Sequence, residues 1–145
     1  MKNAIVFALL AALALPAMPV SAQQVECCPG QPDCVLTLPR TVGLGECFLT
    51  CVEAPVGSLV FILISDGHGP YETKYGPLCV DYPFITVWPV LVPPSGYACL
   101  CHFVECDPLV DGYTGYFQFV AVGPEPWQVC LSNGWALTAI DTGGC

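Results

Sequence analysis

The stretch Leu59-Val60-Phe61-Ile62-Leu63-Ile64 decides the fold of this chain. It is a short, uninterrupted apolar run, which is the length of a strand rather than of a helix. Turn-forming residues bound it, with Pro55-Val56-Gly57 before it and Asp66-Gly67 after it. A strand that is apolar on both faces needs cover on both faces, so we predict that it lies in the centre of a sheet.

Similar short runs extend outward from this stretch in both directions. Each is rich in β-branched, aromatic or cysteine residues and is bounded by Gly, Pro, Asn or Asp. The chain contains 14 glycines and 15 prolines, and no long segment has a helical period. The predicted strands are Cys34–Leu38, Glu46–Glu53, Ser58–Ser65, Leu78–Asp81, Phe84–Val92, Tyr97–Val104, Tyr113–Val122, Trp127–Leu131 and Trp135–Ile140.

This spacing predicts an all-β fold, namely an antiparallel β-sandwich or jelly-roll-like domain of about eight or nine short strands, rich in disulfides. Pro89 interrupts the run 84–92. Because proline cannot donate a hydrogen bond to a central strand, Pro89 predicts an edge strand or a bulge there.

The N-terminus is typical of an export signal. Lys2 precedes the apolar run Ala4–Leu15, and Val20-Ser21-Ala22 offers small residues for cleavage. The alternative is a membrane anchor, but the apolar run falls short of the roughly 20 residues that span a bilayer. We predict a signal peptide at 1–22, an extended cysteine-containing arm at 23–33 and a single β-sandwich domain at 34–145. The expected location is secreted, either extracellular or in the cell envelope.

The charge balance excludes two classes of partner. Three basic residues stand against 12 acidic ones, for a net charge of −9. Because a chain this acidic cannot neutralise a phosphate backbone, we predict no nucleic-acid partner. We also predict no membrane partner after signal cleavage, since anionic lipid surfaces attract basic segments.

Eleven cysteines are an odd number, so at least one is free or bonded to another molecule. Cys99 and Cys101 lie two apart on a strand and face the same side, so each needs a partner on a neighbouring strand or loop. Cys47 and Cys51 are four apart and also share a face, which makes them candidate partners. The structural disulfide candidates are Cys34, Cys47, Cys51, Cys79, Cys99, Cys101, Cys106 and Cys130.

Cys27, Cys28 and Cys145 lie outside the predicted sandwich and are the candidates for an arm or intersubunit disulfide. In one interpretation an arm cysteine bonds to the body of the domain or to Cys145, because the termini of a domain often lie close together. In the other, an arm cysteine bonds to the next subunit and links copies into a fibre or sheet. The sequence leaves both open.

Several turn and strand motifs carry a family resemblance over roughly residues 46–140. They are Glu53-Ala54-Pro55-Val56-Gly57, Pro93-Pro94-Ser95-Gly96, Asp107-Pro108-Leu109, Gly115-Tyr116-Phe117-Gln118-Phe119-Val120 and Leu131-Ser132-Asn133-Gly134-Trp135-Ala136-Leu137-Thr138. This pattern resembles the small secreted β-sandwich domain proteins of planctomycete-type bacteria. The resemblance implies a fold and a secreted fate but no known activity, and this chain is richer in cysteine.

The arm Val25-Glu26-Cys27-Cys28 is weakly similar to the N-terminal connectors of bacterial endospore appendage subunits, which are covalently linked sandwiches. That resemblance covers the arm alone, and Cys34 follows more closely than in those connectors.

The inventory for catalysis is thin, and we predict no catalytic residue, no metal, no cofactor and no enzyme activity. Ser65-Asp66-Gly67-His68 has the composition of a triad, but triad members converge from separate elements. Cys99, Cys101, His102 and Cys106 could bind zinc, although an oxidising compartment favours disulfides. Residues 107–112 could offer oxygens to calcium but lack the alternating acids of a dedicated loop.

Two functions remain. The first is a secreted, disulfide-stabilised structural or assembly protein, a self-associating fibre or surface-layer subunit joined to itself through arm disulfides. The alternative is a lectin-like carbohydrate-binding module, since aromatic side chains beside carboxylates can stack on sugars. The glycan-contact candidates are Tyr71, Tyr75 and Trp88.

Overall fold

The computed structural model describes residues 30–87, 89–125 and 127–145. The predicted signal peptide, the arm cysteines Cys27 and Cys28, and Trp88 lie outside the described residues. Across the described ranges the chain forms strands and one 3₁₀ turn at Pro108–Val110. The strands are β1 (Val35–Thr37), β2 (Thr41–Gly43), β3 (Cys47–Glu53), β4 (Leu59–Ser65), β5 (His68–Thr73), β6 (Gly76–Val80), β7 (Ile85–Thr86), β8 (Val90–Leu91), β9 (Tyr97–Phe103), β10 (Thr114–Val122), β11 (Val129–Leu131) and β12 (Trp135–Ile140).

Two sheets enclose the core. Sheet A has the order β1-β3-β9, and sheet B has the order β2-β12-β10-β4-β7. In sheet B, β11 also pairs with β10 and β8 also pairs with β4, while β5 and β6 form a separate hairpin. All of these pairings are antiparallel except that of β12 with β2. The predicted disulfide-rich all-β fold is therefore confirmed.

The central position of β4 is also confirmed. Leu59–Ser65 pairs along its whole length with β10 on one side and with β7 and β8 on the other. Pro89 lies between β7 and β8 at the edge of sheet B, as expected of a residue that cannot extend a ladder.

The core forms where inward-facing side chains of the two sheets meet. Leu36 and Val52 of sheet A and Val60, Ile62 and Phe119 of sheet B are almost completely buried. Burying each such side chain stabilises the fold by about 1.5–3 kcal/mol. The core therefore joins sheet A to sheet B.

Two strands form where the sequence predicts loops, namely β2 and β5. Thr41–Gly43 is too short to show a period, and it is a strand because its backbone pairs in parallel with β12. His68–Thr73 is polar and contains Gly69 and Pro70, but it pairs with β6 as a hairpin. β2 depends on a partner that is distant in sequence, and β5 depends on pairing with the strand that follows it. Local propensity records neither pairing.

Gln118 of β10 anchors the β5–β6 hairpin to sheet B. Its Oε1 accepts a hydrogen bond from the N–H of Cys79 at 2.8 Å. Its Nε2 donates to Pro77 O at 3.1 Å and to Ser132 O at 2.8 Å. Since Gln118 is 1% exposed, these bonds satisfy a buried amide that would otherwise destabilise the fold.

Candidate functional site

The outer face of sheet A carries two disulfides that join β3 to β9. Cys51 bonds to Cys99, which lies directly opposite in the register, and their Cα atoms are 4.1 Å apart. Cys47 bonds to Cys101, which lies diagonally across the strand pair at a Cα separation of 6.0 Å. We call this pair of bridges the β3–β9 staples. They confirm that Cys99 and Cys101 each take a partner on a neighbouring strand.

The candidate partners Cys47 and Cys51 are the cysteines to which Cys101 and Cys99 bond. Residues four apart on a strand share a face, but at about 3.3 Å per residue their Cα atoms lie roughly 13 Å apart. A disulfide needs a Cα separation of at most about 7 Å. Each cysteine therefore bonds across the strand pair instead of along β3.

The outer edge of β9 is unpaired in the described part of sheet A. Backbone hydrogen bonds fix which groups point outward: the N–H of Val104 donates to Glu46 O at 2.9 Å, and this direction alternates along the pair. The short Cα separation of Cys51 and Cys99 agrees, since it is typical of opposed residues that do not bond each other. The residues whose N–H and C=O groups point away from β3 are Tyr97, Cys99, Cys101 and Phe103.

The side chains beside this edge are mostly apolar and exposed. Phe103 is 67% exposed and Leu49 on the adjacent strand is 56% exposed. Ser95 contacts the backbone of Tyr97 on both sides, donating to its carbonyl at 3.1 Å. Open backbone groups at Cys99, Cys101 and Phe103 therefore lie next to uncovered apolar surface, a combination that favours the addition of another strand.

His102 is the histidine within β9. It packs against the ring of Phe48, with centroids 5.3 Å apart, and its Nε2 is buried without a hydrogen-bond partner. Burial lowers the pKa of His102 below its usual 6.5, because desolvation penalises the charged imidazolium. His102 therefore acts as a neutral packing residue beneath the edge.

Two further disulfides lie away from the β3–β9 staples. Cys34 bonds to Cys130 and joins the chain before β1 to β11 of sheet B. Cys106 bonds to Cys145 and ties the C-terminus to the segment after β9. Cys145, grouped in the sequence with the arm cysteines, therefore belongs with the structural disulfides. Cys79 is disulfide-bonded as well.

The residues considered for zinc are occupied otherwise. Cys99, Cys101 and Cys106 are all in disulfides, so their sulfurs are not thiolates. No group of three or more His, Cys, Asp or Glu side chains in the described ranges is arranged to hold a metal ion.

The acidic loop considered for calcium uses its carboxylates to fix backbone. Asp107 caps the 3₁₀ turn by accepting from Leu109 N–H at 2.9 Å. Asp111 accepts from the N–H of Asp141 at 2.8 Å. Both carboxylates thus organise the loop between β9 and β10.

The triad-like stretch at the end of β4 forms a turn. The Ser65 hydroxyl accepts from Gly67 N–H at 3.1 Å and donates to Pro83 O at 3.5 Å. His68 contacts Gly69 O through Nδ1 at 3.0 Å and lies 4.8 Å from the ring of Tyr116. Ser65 and His68 therefore bond to neighbouring backbone rather than to each other.

The glycan-contact candidates do not form one stacking platform. Tyr71 on β5 donates its hydroxyl to Asp81 at 2.8 Å, and this hydrogen bond, more than burial or charge repulsion, raises the pKa of Tyr71. Tyr75 is half-buried in the hairpin turn, with the Lys74 ammonium 4.7 Å from its ring. Trp88 lies outside the described residues.

A different tryptophan stands at a cleft that the sequence interpretation missed. Trp127 was assigned to a strand, but β11 begins only at Val129. Trp127 lies in the preceding loop, 72% exposed, at a cleft of about 420 Å³. The Gly123-Pro124 turn just before it was the available signal, because it indicates that this part of the chain is a loop.

Comparison with known proteins yields little likeness. No protein-family model matches the sequence, and no curated protein matches it. Among solved structures, the chain is similar to a superoxide reductase (neelaredoxin) from Ignicoccus hospitalis, at 8% identity and a TM-score of 0.42. That alignment covers 76% of this chain and 81% of the reductase chain. A likeness of this degree carries no argument about function.

Two features of the structure bear on the cellular location of the protein. Four disulfides join described cysteines, and within the described ranges no helix is long and apolar enough to cross a membrane. Disulfides persist in oxidising compartments, so the bonding pattern is compatible with an exported protein.

Proposed function

We propose that this protein is an exported, disulfide-stabilised structural subunit that associates with further copies of itself. The observation that carries the proposal is the open edge of β9. Natural proteins blunt exposed sheet edges with charges, prolines, bulges or short strands. Tyr97–Phe103 has no proline, no Asp, Glu, Lys or Arg, and an unbroken register with β3.

The β3–β9 staples make this edge a rigid template. An added strand gains main-chain hydrogen bonds. If the edge were mobile, the free energy needed to order it would weaken the binding. Two bridges already hold β9 flat against β3, and Phe103 and Leu49 offer apolar contact beside it. A second copy of β9, running antiparallel, would meet the outward N–H and C=O groups and continue sheet A across a two-fold axis.

The arm cysteines supply a covalent link in the same proposal. The described chain begins at Gly30, and the Gln31 side chain donates to Tyr75 O at 3.1 Å, on the hairpin that carries Cys79. In this proposal Cys79 bonds to Cys27 or Cys28, because the other described cysteines form four disulfides among themselves. The remaining arm cysteine would then be the odd one of eleven, free to bond to its counterpart in another copy.

The number of spare cysteines limits the size of the covalently linked product. One spare cysteine per copy supports one intermolecular disulfide, which yields a linked dimer and not a continuous covalent fibre. Growth beyond the dimer would depend on the non-covalent edge contact at β9. Copies with a charge of −9 repel each other, so association through an uncharged strand should strengthen as salt rises.

The test combines sedimentation equilibrium with non-reducing gels on the exported, oxidised chain. We expect concentration-dependent association in solution and a dimer band on the gel that reductant removes. Phe103→Lys should weaken the solution association by roughly tenfold or more, because it places a charge in the contact. The matched control is Ile85→Lys, which changes an equally exposed residue of β7 at the edge of sheet B and should have no effect.

Three results would contradict the proposal. A protein that stays monomeric at all concentrations and salt levels has no such contact. Equal effects of Phe103→Lys and Ile85→Lys would exclude β9 as the surface. A gel without any dimer band would remove the covalent link while leaving the edge contact to be judged by sedimentation.

A further inference from the structure

A second surface of the molecule has the construction of a ligand site. The cleft of about 420 Å³ lies at one end of the sandwich, beside the turn before β4 and the loop before β11. Its volume falls in the range of small-molecule sites, about 300–1,000 Å³. Ala121 and Ser58 line it as buried residues, and Trp127 lines it as an exposed one.

The loop that carries Trp127 is fixed by its own backbone. Gly123 N–H donates to Gln128 O at 2.7 Å, and Gln128 N–H donates to Glu125 O at 2.9 Å. Val129 N–H donates to Trp127 O at 3.0 Å. These bonds order the backbone that carries Trp127 before any ligand arrives, so binding loses little backbone freedom.

The opposite wall is fixed by a disulfide. Gln31 and Asp33 line the cleft immediately before Cys34, which bonds to Cys130. Gln31 N–H donates to Leu131 O at 3.1 Å, and Cys34 N–H donates to Gln31 O at 3.0 Å. The carboxylate of Asp33 and the amide of Gln31 are therefore carried by an anchored segment rather than by a free tail.

The chemistry of these walls selects a class of ligand. An exposed indole offers an apolar face, while Asp33, Gln31 and Gln128 offer planar groups that accept and donate hydrogen bonds. A sugar ring needs both, since it presents C–H groups on its faces and hydroxyls around its rim. The net charge of −9 disfavours phosphorylated, sulfated or uronic acid ligands.

A neighbouring cleft of about 450 Å³ extends the surface. It shares Asp33, Pro55 and Val56 with the first cleft and adds Glu53 and Ser95. Two clefts that share a wall suit a chain of sugar units better than a single ring. Proline-rich peptides prefer grooves with several aromatic rings, whereas Trp127 is the one aromatic residue that lines either cleft within the described residues.

We propose that this groove binds a neutral oligosaccharide, with Trp127 stacking on a sugar ring and Asp33 and Gln128 contacting its hydroxyls. The cleft that holds Trp127 contains no residue of β9, so the stacking contact does not depend on the self-association proposed above. It also differs from the positions of Tyr71 and Tyr75, neither of which lines the groove.

The test is calorimetric titration of the full oxidised chain with cellohexaose, chitohexaose, xylohexaose and mannohexaose. At least one of the four is expected to bind. Trp127→Ala should weaken that binding by roughly tenfold or more, which is the size of effect expected from one stacked aromatic ring. Tyr82→Ala is the matched control: it removes a ring that is 82% exposed and lies outside the groove, and it should leave binding unchanged.

A measurement on the unaltered chain guards against a variant that fails to fold. On addition of the sugar, the indole N–H resonance of Trp127 should shift, while that of Trp135, which donates to Pro39 O, should not. The proposal is overturned if none of the four sugars binds, if Trp127→Ala binds as tightly as the parent, or if a proline decapeptide binds at Trp127 in place of every sugar.

Discussion

Two edges of this sandwich, that of sheet B at β7 and β8 and that of sheet A at β9, are built in opposite ways. At the edge of sheet B, β7 and β8 are two residues each, with Pro89 between them. At the edge of sheet A, β9 is seven residues long, unbroken and bonded twice to β3 by disulfide. The first edge is protected against strand addition, whereas the second offers a continuous row of backbone groups.

This difference teaches that the disulfides are not distributed for stability alone. The core already joins the sheets, and both β3–β9 staples lie on the outer face, away from it. They secure β9, the seven-residue strand that is paired on one side only at the edge of sheet A. Such a strand is the first to fray, and the staples hold it as an open edge.

The largest expected effect is the loss of both staples together. Replacing Cys47, Cys51, Cys99 and Cys101 by alanine should lower the free energy of unfolding by roughly 6 kcal/mol. That is comparable to the whole stability of an ordinary domain, so the variant should be largely unfolded at 25 °C. Near-ultraviolet circular dichroism and denaturant titration measure it. A variant that stays fully folded would show that the core alone holds β9.

Loss of one staple should have a much smaller effect. The Cys51–Cys99 bridge closes a loop with a sequence separation of 48 that lies inside the loop of 54 closed by Cys47–Cys101. Once either bridge exists, the other closes only a few additional residues and contributes about 2 kcal/mol. Denaturant titration of Cys47→Ala/Cys101→Ala against Cys51→Ala/Cys99→Ala checks this, and single-bridge losses as large as the double loss would contradict the nested arrangement.

The smallest effect concerns acid and β9. Because the pKa of His102 is lowered in the folded state, the unfolded chain binds its proton more readily. Stability should therefore be full above pH 6.5, fall as the pH drops through that value and level off below the folded pKa. His102→Gln should flatten this part of the profile, measured by thermal unfolding between pH 5 and 7. An unchanged profile would mean that other groups govern the acid response.

Local features of the sequence predicted much of the fold. Six apolar residues at 59–64 and Pro89 within 84–92 located the central strand and the protected edge, since burial and a missing donor are properties of single segments. Alternation along β9 also showed that Cys99 and Cys101 face one side and need partners on a neighbouring strand.

The sequence could not predict the register in which the strands pair. The pairing of Cys47 with Cys101 depends on β3 and β9 aligning so that Cys47 opposes Phe103, and no local pattern records that alignment. The cleft at Trp127 also forms from segments distant in the chain, with Gln31 and Pro55 on its other walls. Its residues look unrelated until the fold brings them together.

The most direct test of the central claim is amide hydrogen exchange, followed residue by residue as protein concentration rises. We expect the outward N–H groups of Cys99, Cys101 and Phe103 to become protected on association, while the outward N–H groups of Thr86 and Leu91 at the edge of sheet B stay unchanged. If exchange at those three β9 amides does not depend on concentration, or if protection develops at β7 and β8 instead, the account of β9 as the association edge is contradicted.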